Sequence, residues 1–168
     1  VTTGAAPATI VESGATIAAA GTLAAPITMT TFLAESAMSD ASTATTDSAD
    51  SSGTITLGER GKWGGLILLG TAPTSAASFT TNYVEGVSGK PYGGTDPTDS
   101  SGTLQYVRVW HGGAVIGADN EINGITFGGV GSGTTVDHCE VAYNADDGFE
   151  FFGGTVNVKY LSVLFGGD

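Results

Sequence analysis

LQYVRVWHGG (Leu104–Gly113), VDHCEVAYNA (Val136–Ala145) and VKYLSVLFGG (Val158–Gly167) superimpose without gaps. Each runs aliphatic residue, two variable residues, apolar residue, one variable residue, Val. A second motif of Gly, apolar, any, apolar stands between them: GLILLG from Gly65, GITFGG from Gly124 and GFEFFGG from Gly148. The two motifs alternate along the chain. Gly124 and Gly148 are 24 residues apart, and Val136 and Val158 are 22 apart. A period of this length, built of short strands and Gly-rich corners, is too short for helix-pair repeats. It predicts an all-β parallel solenoid whose coils stack about 4.8 Å apart. A β-sandwich with strands every 8–12 residues is the competing reading, but it gives no reason for like residues to recur at one period.

Composition agrees. The 168 residues include 27 glycines and only 13% charged residues, with much Ser, Thr and Ala, which favours turns and extended chain over helix. Seventeen acids against five bases give a net charge of −12. Nucleic-acid binding needs a basic stripe, and Arg60, Lys62, Lys90, Arg108 and Lys159 are too few and too scattered to form one. No apolar run approaches the roughly 20 residues that span a bilayer, so no membrane insertion is expected of this segment. A Lys-poor, acidic, Ser/Thr/Gly-rich chain suits an extracellular or cell-surface setting.

Two-residue alternation assigns faces. In the first motif Val107/Val109, Cys139/Val141 and Leu161/Val163 are expected inside. Tyr106, His138 and Tyr160 then form an outward ladder, flanked by Arg108, Glu140 and Ser162. In the second motif Leu66/Leu68, Ile125/Phe127 and Phe149/Phe151 point inward, and Ile67, Thr126 and Glu150 outward. The 59-residue step from Gly65 to Gly124 exceeds one period. A Gly/Pro/Asp-rich loop over 71–102 accounts for it, and 36–53 is a second, low-complexity insertion. Ahead of it, Ile10/Val11, Thr16–Ala18 and Ile27–Thr30 are candidate opening strands, and FLAESAM (Phe32–Met38) a candidate helical turn. We read 1–168 as one β-helix domain. The pattern breaks off at LFGGD (Leu164–Asp168) with an unpaired strand edge. The expectation is a longer chain, a partner covering that edge, or self-association of copies into filaments.

GKWGGLILLGTAPT, YGGTDPTDSSGTLQYVRVWHGG, DNEINGITFGGVGSGTTVDHCEV and NADDGFEFFGGTVNVKYL together resemble a group of secreted or surface-anchored bacterial lipoprotein-like proteins. That group is similar to the right-handed parallel β-helix (pectin-lyase-like) superfold. The resemblance covers Gly58 to Asp168 and implies fold and extracellular setting. It carries no activity over, since one superfold hosts many functions.

Candidate chemistry lies in three places. Asp119 and Glu121, Asp146 and Asp147, and Asp96 and Asp99 gather oxygens at corners or in the long loop, as Ca²⁺ with its 6–8 hard ligands requires. The plainer account is that corner Asp and Asn residues bond their own backbone. Second, Tyr106, His138, Tyr160 and Trp110, with acidic neighbours including Glu150, form an outer aromatic-acidic face suited to a polysaccharide, or simply a stack that stiffens the sheet. Third, a β-helix lyase needs an Arg or Lys base beside clustered acids, yet Arg108 and Lys159 do not share a column. Arg108 aligns with Glu140 as a surface ion pair. A hydrolase using Glu150 with Asp146 or Asp147 turns on their separation. No organic cofactor is called for. GGVGSG (Gly128–Gly133) precedes a strand rather than a helix, so it is not a phosphate loop. His111 and His138 lack zinc spacing. Cys139 reads as a small buried hydrophobe, and His111 as a core or corner residue. The function expected is a non-catalytic structural or adhesive module, with a carbohydrate-active enzyme or glycan-binding protein as the alternative.

Overall fold

The computed structural model describes residues 7–31, 59–75, 82–85, 87–117 and 120–167. The strands among them are β1 (Thr9–Val11), β2 (Ile17–Ala20), β3 (Ile27–Met29), β4 (Leu66–Leu69), β5 (Gly102–Gln105), β6 (Val107–Trp110), β7 (Val115–Gly117), β8 (Asn120–Glu121), β9 (Ile125–Val130), β10 (Thr135–Ala142), β11 (Phe149–Gly154) and β12 (Asn157–Leu164). One sheet runs β1-β4-β9-β11. The other joins β2, β5, β10, β6 and β3, with β12 added beside β10. All these pairings are parallel; β7 and β8 form a separate antiparallel pair. The described residues form a parallel β-helix of four coils: β1–β3, β4–β6, β9–β10 and β11–β12.

The register is the one the repeats dictate. Val136 lies beside Val158 and Leu104, and Ile125 beside Phe149 and Leu66. The opening strands fall within a residue or two of their expected places. The proposed turn at Phe32–Met38 and the insertion over 36–53 lie outside the described residues.

Backbone conformation explains why two variable residues, not one, separate Leu104 from Val107. Tyr106, His138 and Tyr160 adopt φ of 49°, 52° and 55°. This left-handed twist turns the strand, so that Leu104 and Val107 both face inward although they are three apart. A second column, His111, Tyr143 and Phe165, repeats the device at φ of 60°, 55° and 54° where each coil leaves this sheet. Such a conformation costs an L-residue roughly 1–2 kcal/mol, and ring stacking between coils returns about 0.5–1.5 kcal/mol per pair.

The interior is aliphatic and aromatic. Leu66, Leu68, Leu104, Val107, Val109, Ile125, Phe127, Val136, Cys139 and Val141 are buried in one cluster. Cys139 lies with Sγ 3.6 Å from the Leu104 carbonyl, and burial raises its thiol pKa, so it is a packing residue. Ile67 and Thr126 point away from this core as expected, yet both are buried, Ile67 because the long insertion folds back over it. Val84, Val87 and Tyr92 from that loop pack with Ile67, Leu69 and Ile122 into a second small core. The loop is rich in Gly and Pro, yet its few apolar residues suffice to cover part of one outer face.

Close coil contact leaves no room at the glycines that open the three later coils, Gly65, Gly124 and Gly148. A Cβ on Gly124 would sit 2.4 Å from Val141 Cγ1 and 2.7 Å from the Gly148 carbonyl oxygen. Gly148 meets Val163 in the same way. Gly124→Ala is therefore expected to destabilise the fold by about 1–3 kcal/mol through overpacking, read as a lower denaturant midpoint. An unchanged midpoint would mean the coils are not packed as closely as described.

Candidate functional site

The outer ladder forms as expected, with one consequence for its use. Tyr106 and His138 stack with ring centroids 4.6 Å apart and planes 11° apart, and His138 and Tyr160 at 4.4 Å and 29°. The ring faces are thus spent on one another, and the column shows solvent its edges. The outermost ring, Tyr160, is 65% exposed, with Lys159 Nζ 5.6 Å from its centroid. Charged neighbours brace the column. The Asp137 carboxylate meets His138 Nδ1 and holds Lys159 Nζ at 3.2 Å. Arg108 lies 3.8 Å from Glu140, which also accepts a 2.9 Å hydrogen bond from Trp110 Nε1. An open groove of about 190 Å³ runs beside the rings, walled by Leu23 and Pro26 and lined by Arg108 and Glu140.

The remaining candidates do not join this face. Glu150 lies on β11 in the other sheet, where the Asn123 amide donates to its carboxylate. Desolvation raises the Glu150 pKa, with further upward pushes from Asp147, Glu85 and Asp146, against the lowering by Asn123. At the nearby corner the backbone is held by Asn144 rather than by the aspartates. Its fully buried side chain donates to the Asp146 and Asp147 carbonyls at 3.0 and 2.9 Å. Asp146 is half-buried and Asp147 exposed. In the long loop, Asp96 accepts from the Thr98 amide and hydroxyl at 2.9 and 2.7 Å, a local turn, and these bonds lower its pKa. Asp99 accepts from the Thr71 hydroxyl at 2.9 Å. Glu121 sits on β8, and Asp119 lies outside the described residues. Among the described residues, no three His, Cys, Asp or Glu side chains are grouped to hold a metal ion. Nor is any described helix long and apolar enough to cross a membrane.

Two features escaped the sequence reading. Asn144 occupies the column of Gly112 and Gly166, and that departure from glycine was its only signal. Glu59 and Lys62, 2.8 Å apart beside buried His111, come from a segment outside the repeat pattern and carried none.

A raised carboxyl pKa favours the protonated form in the fold. The stability it contributes is present below the ordinary value near 4.5 and is lost as pH rises through the higher folded value. Glu150→Gln should therefore flatten stability against pH above that point and make the protein more stable than wild type at neutral pH. Thermal melts across the acid-to-neutral range check this; a neutral-pH melting point lowered by the substitution would contradict it.

A family model described as a pectate-lyase like beta helix domain matches residues 52–168. No curated protein and no solved structure matches the chain.

Proposed function

We propose that this chain, which belongs to the family of pectate-lyase-like β-helix domains, is a non-catalytic structural module of the cell exterior that works by stacking coil upon coil. The observation carrying this reading is that three ring columns end on exposed rings at one edge. Phe127–Phe151, with centroids 4.9 Å apart, ends on Phe151; Tyr106–His138–Tyr160 ends on Tyr160; His111–Tyr143–Phe165 ends on Phe165. These three rings are 43, 65 and 64% exposed, and Val163 and Leu164 beside them 47 and 42%. Exposed apolar surface in register with an existing coil interface matches one more parallel coil in shape and chemistry. That coil belongs to a second copy, giving adhesive or filamentous assembly, or to a continuation of the polypeptide. The charges on the ladder face support a scaffold over an enzyme: Arg108 pairs with Glu140 and Lys159 with Asp137.

The groove beside Tyr106, His138 and Tyr160 favours a second reading, retention of a glycan along the ladder. Ring edges, hydroxyls and the Arg108–Glu140 pair offer it hydrogen bonds; stacking on ring faces is restricted to Tyr160. Calorimetric titration with neutral and acidic oligosaccharides that gives no heat removes this reading.

Radical footprinting of the native material tests the first. Tyr160 and Phe165 are expected to be protected as strongly as Tyr143, and sedimentation then separates covering by another copy from covering in cis. Tyr160 and Phe165 reacting at the rate of fully exposed rings would overturn the proposal.

A further inference from the structure

Residues 59–63 cross the corner of the solenoid outside the repeat pattern and are pinned at several points. The Gly61 amide donates to the Gly112 carbonyl at 2.7 Å, and the Lys62 amide to the His111 carbonyl at 2.9 Å. Trp63 Nε1 donates to the Trp110 carbonyl at 2.7 Å. The Arg60 guanidinium reaches the last coil, donating to the Phe165 carbonyl at 3.0 and 3.2 Å and to the Gly166 carbonyl at 3.3 Å. At the centre, His111 Nδ1 donates to the Glu59 carbonyl at 2.6 Å, and the buried Glu59 carboxylate lies 2.8 Å from Lys62 Nζ. We propose that this segment is an acid-released strap, with His111 as its pin.

The geometry makes the imidazole a one-proton group. Donation from Nδ1 to a carbonyl places the neutral ring's proton there, which leaves Nε2 buried with no hydrogen-bond partner. A second proton would create an N–H cation at that nitrogen. The titratable and charged groups facing the ring are Glu59 and Lys62 from the strap and Tyr143 from the coil beneath, stacked at 5.3 Å and 8°. Glu59 favours the added charge, whereas burial and Lys62 oppose it. Desolvation, the largest effect, holds the His111 pKa below its ordinary 6.5. Neutral His111 therefore stabilises the strap fully above that value, and the contribution is lost as pH falls through the lower folded pKa. Lifting the strap lets water reach the imidazolium and frees the Phe165 and Gly166 carbonyls. Its column partners, Tyr143 and Phe165, carry no such group, so the device is local to His111.

Amide hydrogen exchange on the intact protein tests this. After correction for intrinsic rates, protection at Gly61 and Lys62 should fall about tenfold or more between about pH 7.5 and about pH 5. The Ile125 amide, bonded to the Gly148 carbonyl at 2.9 Å, should hold its protection. His111→Phe keeps a ring in the column and should abolish the pH dependence. Three results would overturn the proposal: wild-type strap protection that does not change with pH, a loss matched at Ile125, or an acid loss that survives in His111→Phe. If that variant does not fold, the wild-type contrast between strap and Ile125 decides alone. The outcome is independent of whether the bare edge binds another coil.

Discussion

Six of the described non-glycine residues, held in the left-handed region, set the geometry on which everything else depends. Tyr106, His138 and Tyr160 turn the strand in mid-sheet, and His111, Tyr143 and Phe165 turn it again at the exit. An isolated L-residue avoids this conformation. Among the described residues every instance is a ring, and each stacks on the ring of an adjacent coil. The strain and the stacking lie on the same residues, so the corner is stable only while coils remain in register. A slip of one residue would take the rings off their columns and turn the inward valines to solvent.

That coupling explains which parts of the structure were legible in the sequence. The inward columns and the outward ladder follow from alternation and period, because like residues must stack on like. The interval of two residues between Leu104 and Val107 was visible, but the left-handed turn behind it is a backbone property that no residue type announces; Tyr and His are not glycine substitutes. The burial of Ile67 and Thr126 was illegible for another reason. For Ile67 it depends on Val84, Val87 and Tyr92, which belong to an insertion with no repeat to align against. Among the site candidates, the ladder residues came together as expected, whereas Glu150 went to the other sheet. The corner aspartates proved to be held through their carbonyls by Asn144.

Function follows from how the rings are used. Stacked rings give up their faces to one another, so the ladder fastens coil to coil. Where the column ends, the same fastening is left open, and Phe151, Tyr160 and Phe165 form a patterned edge. The other outer face is occupied by its own loop, and its half-buried Glu150 is pushed toward the neutral acid by burial and neighbouring carboxylates. The corner column is crossed by residues 59–63, fastened where His111 meets the Glu59 carbonyl. Ring stacking thus defines both the exposed edge and the corner of the solenoid.

The central claim is that residues 22 and 24 positions apart are direct neighbours in parallel register. Nuclear Overhauser contacts in solution test it most directly. The account predicts cross-peaks between the methyls of Val136 and Val158 and of Val141 and Val163, and between the Ile125 methyls and the Phe149 ring. If those contacts are missing, or if β10 and β12 are connected in antiparallel order, the solenoid and every surface described on it are contradicted.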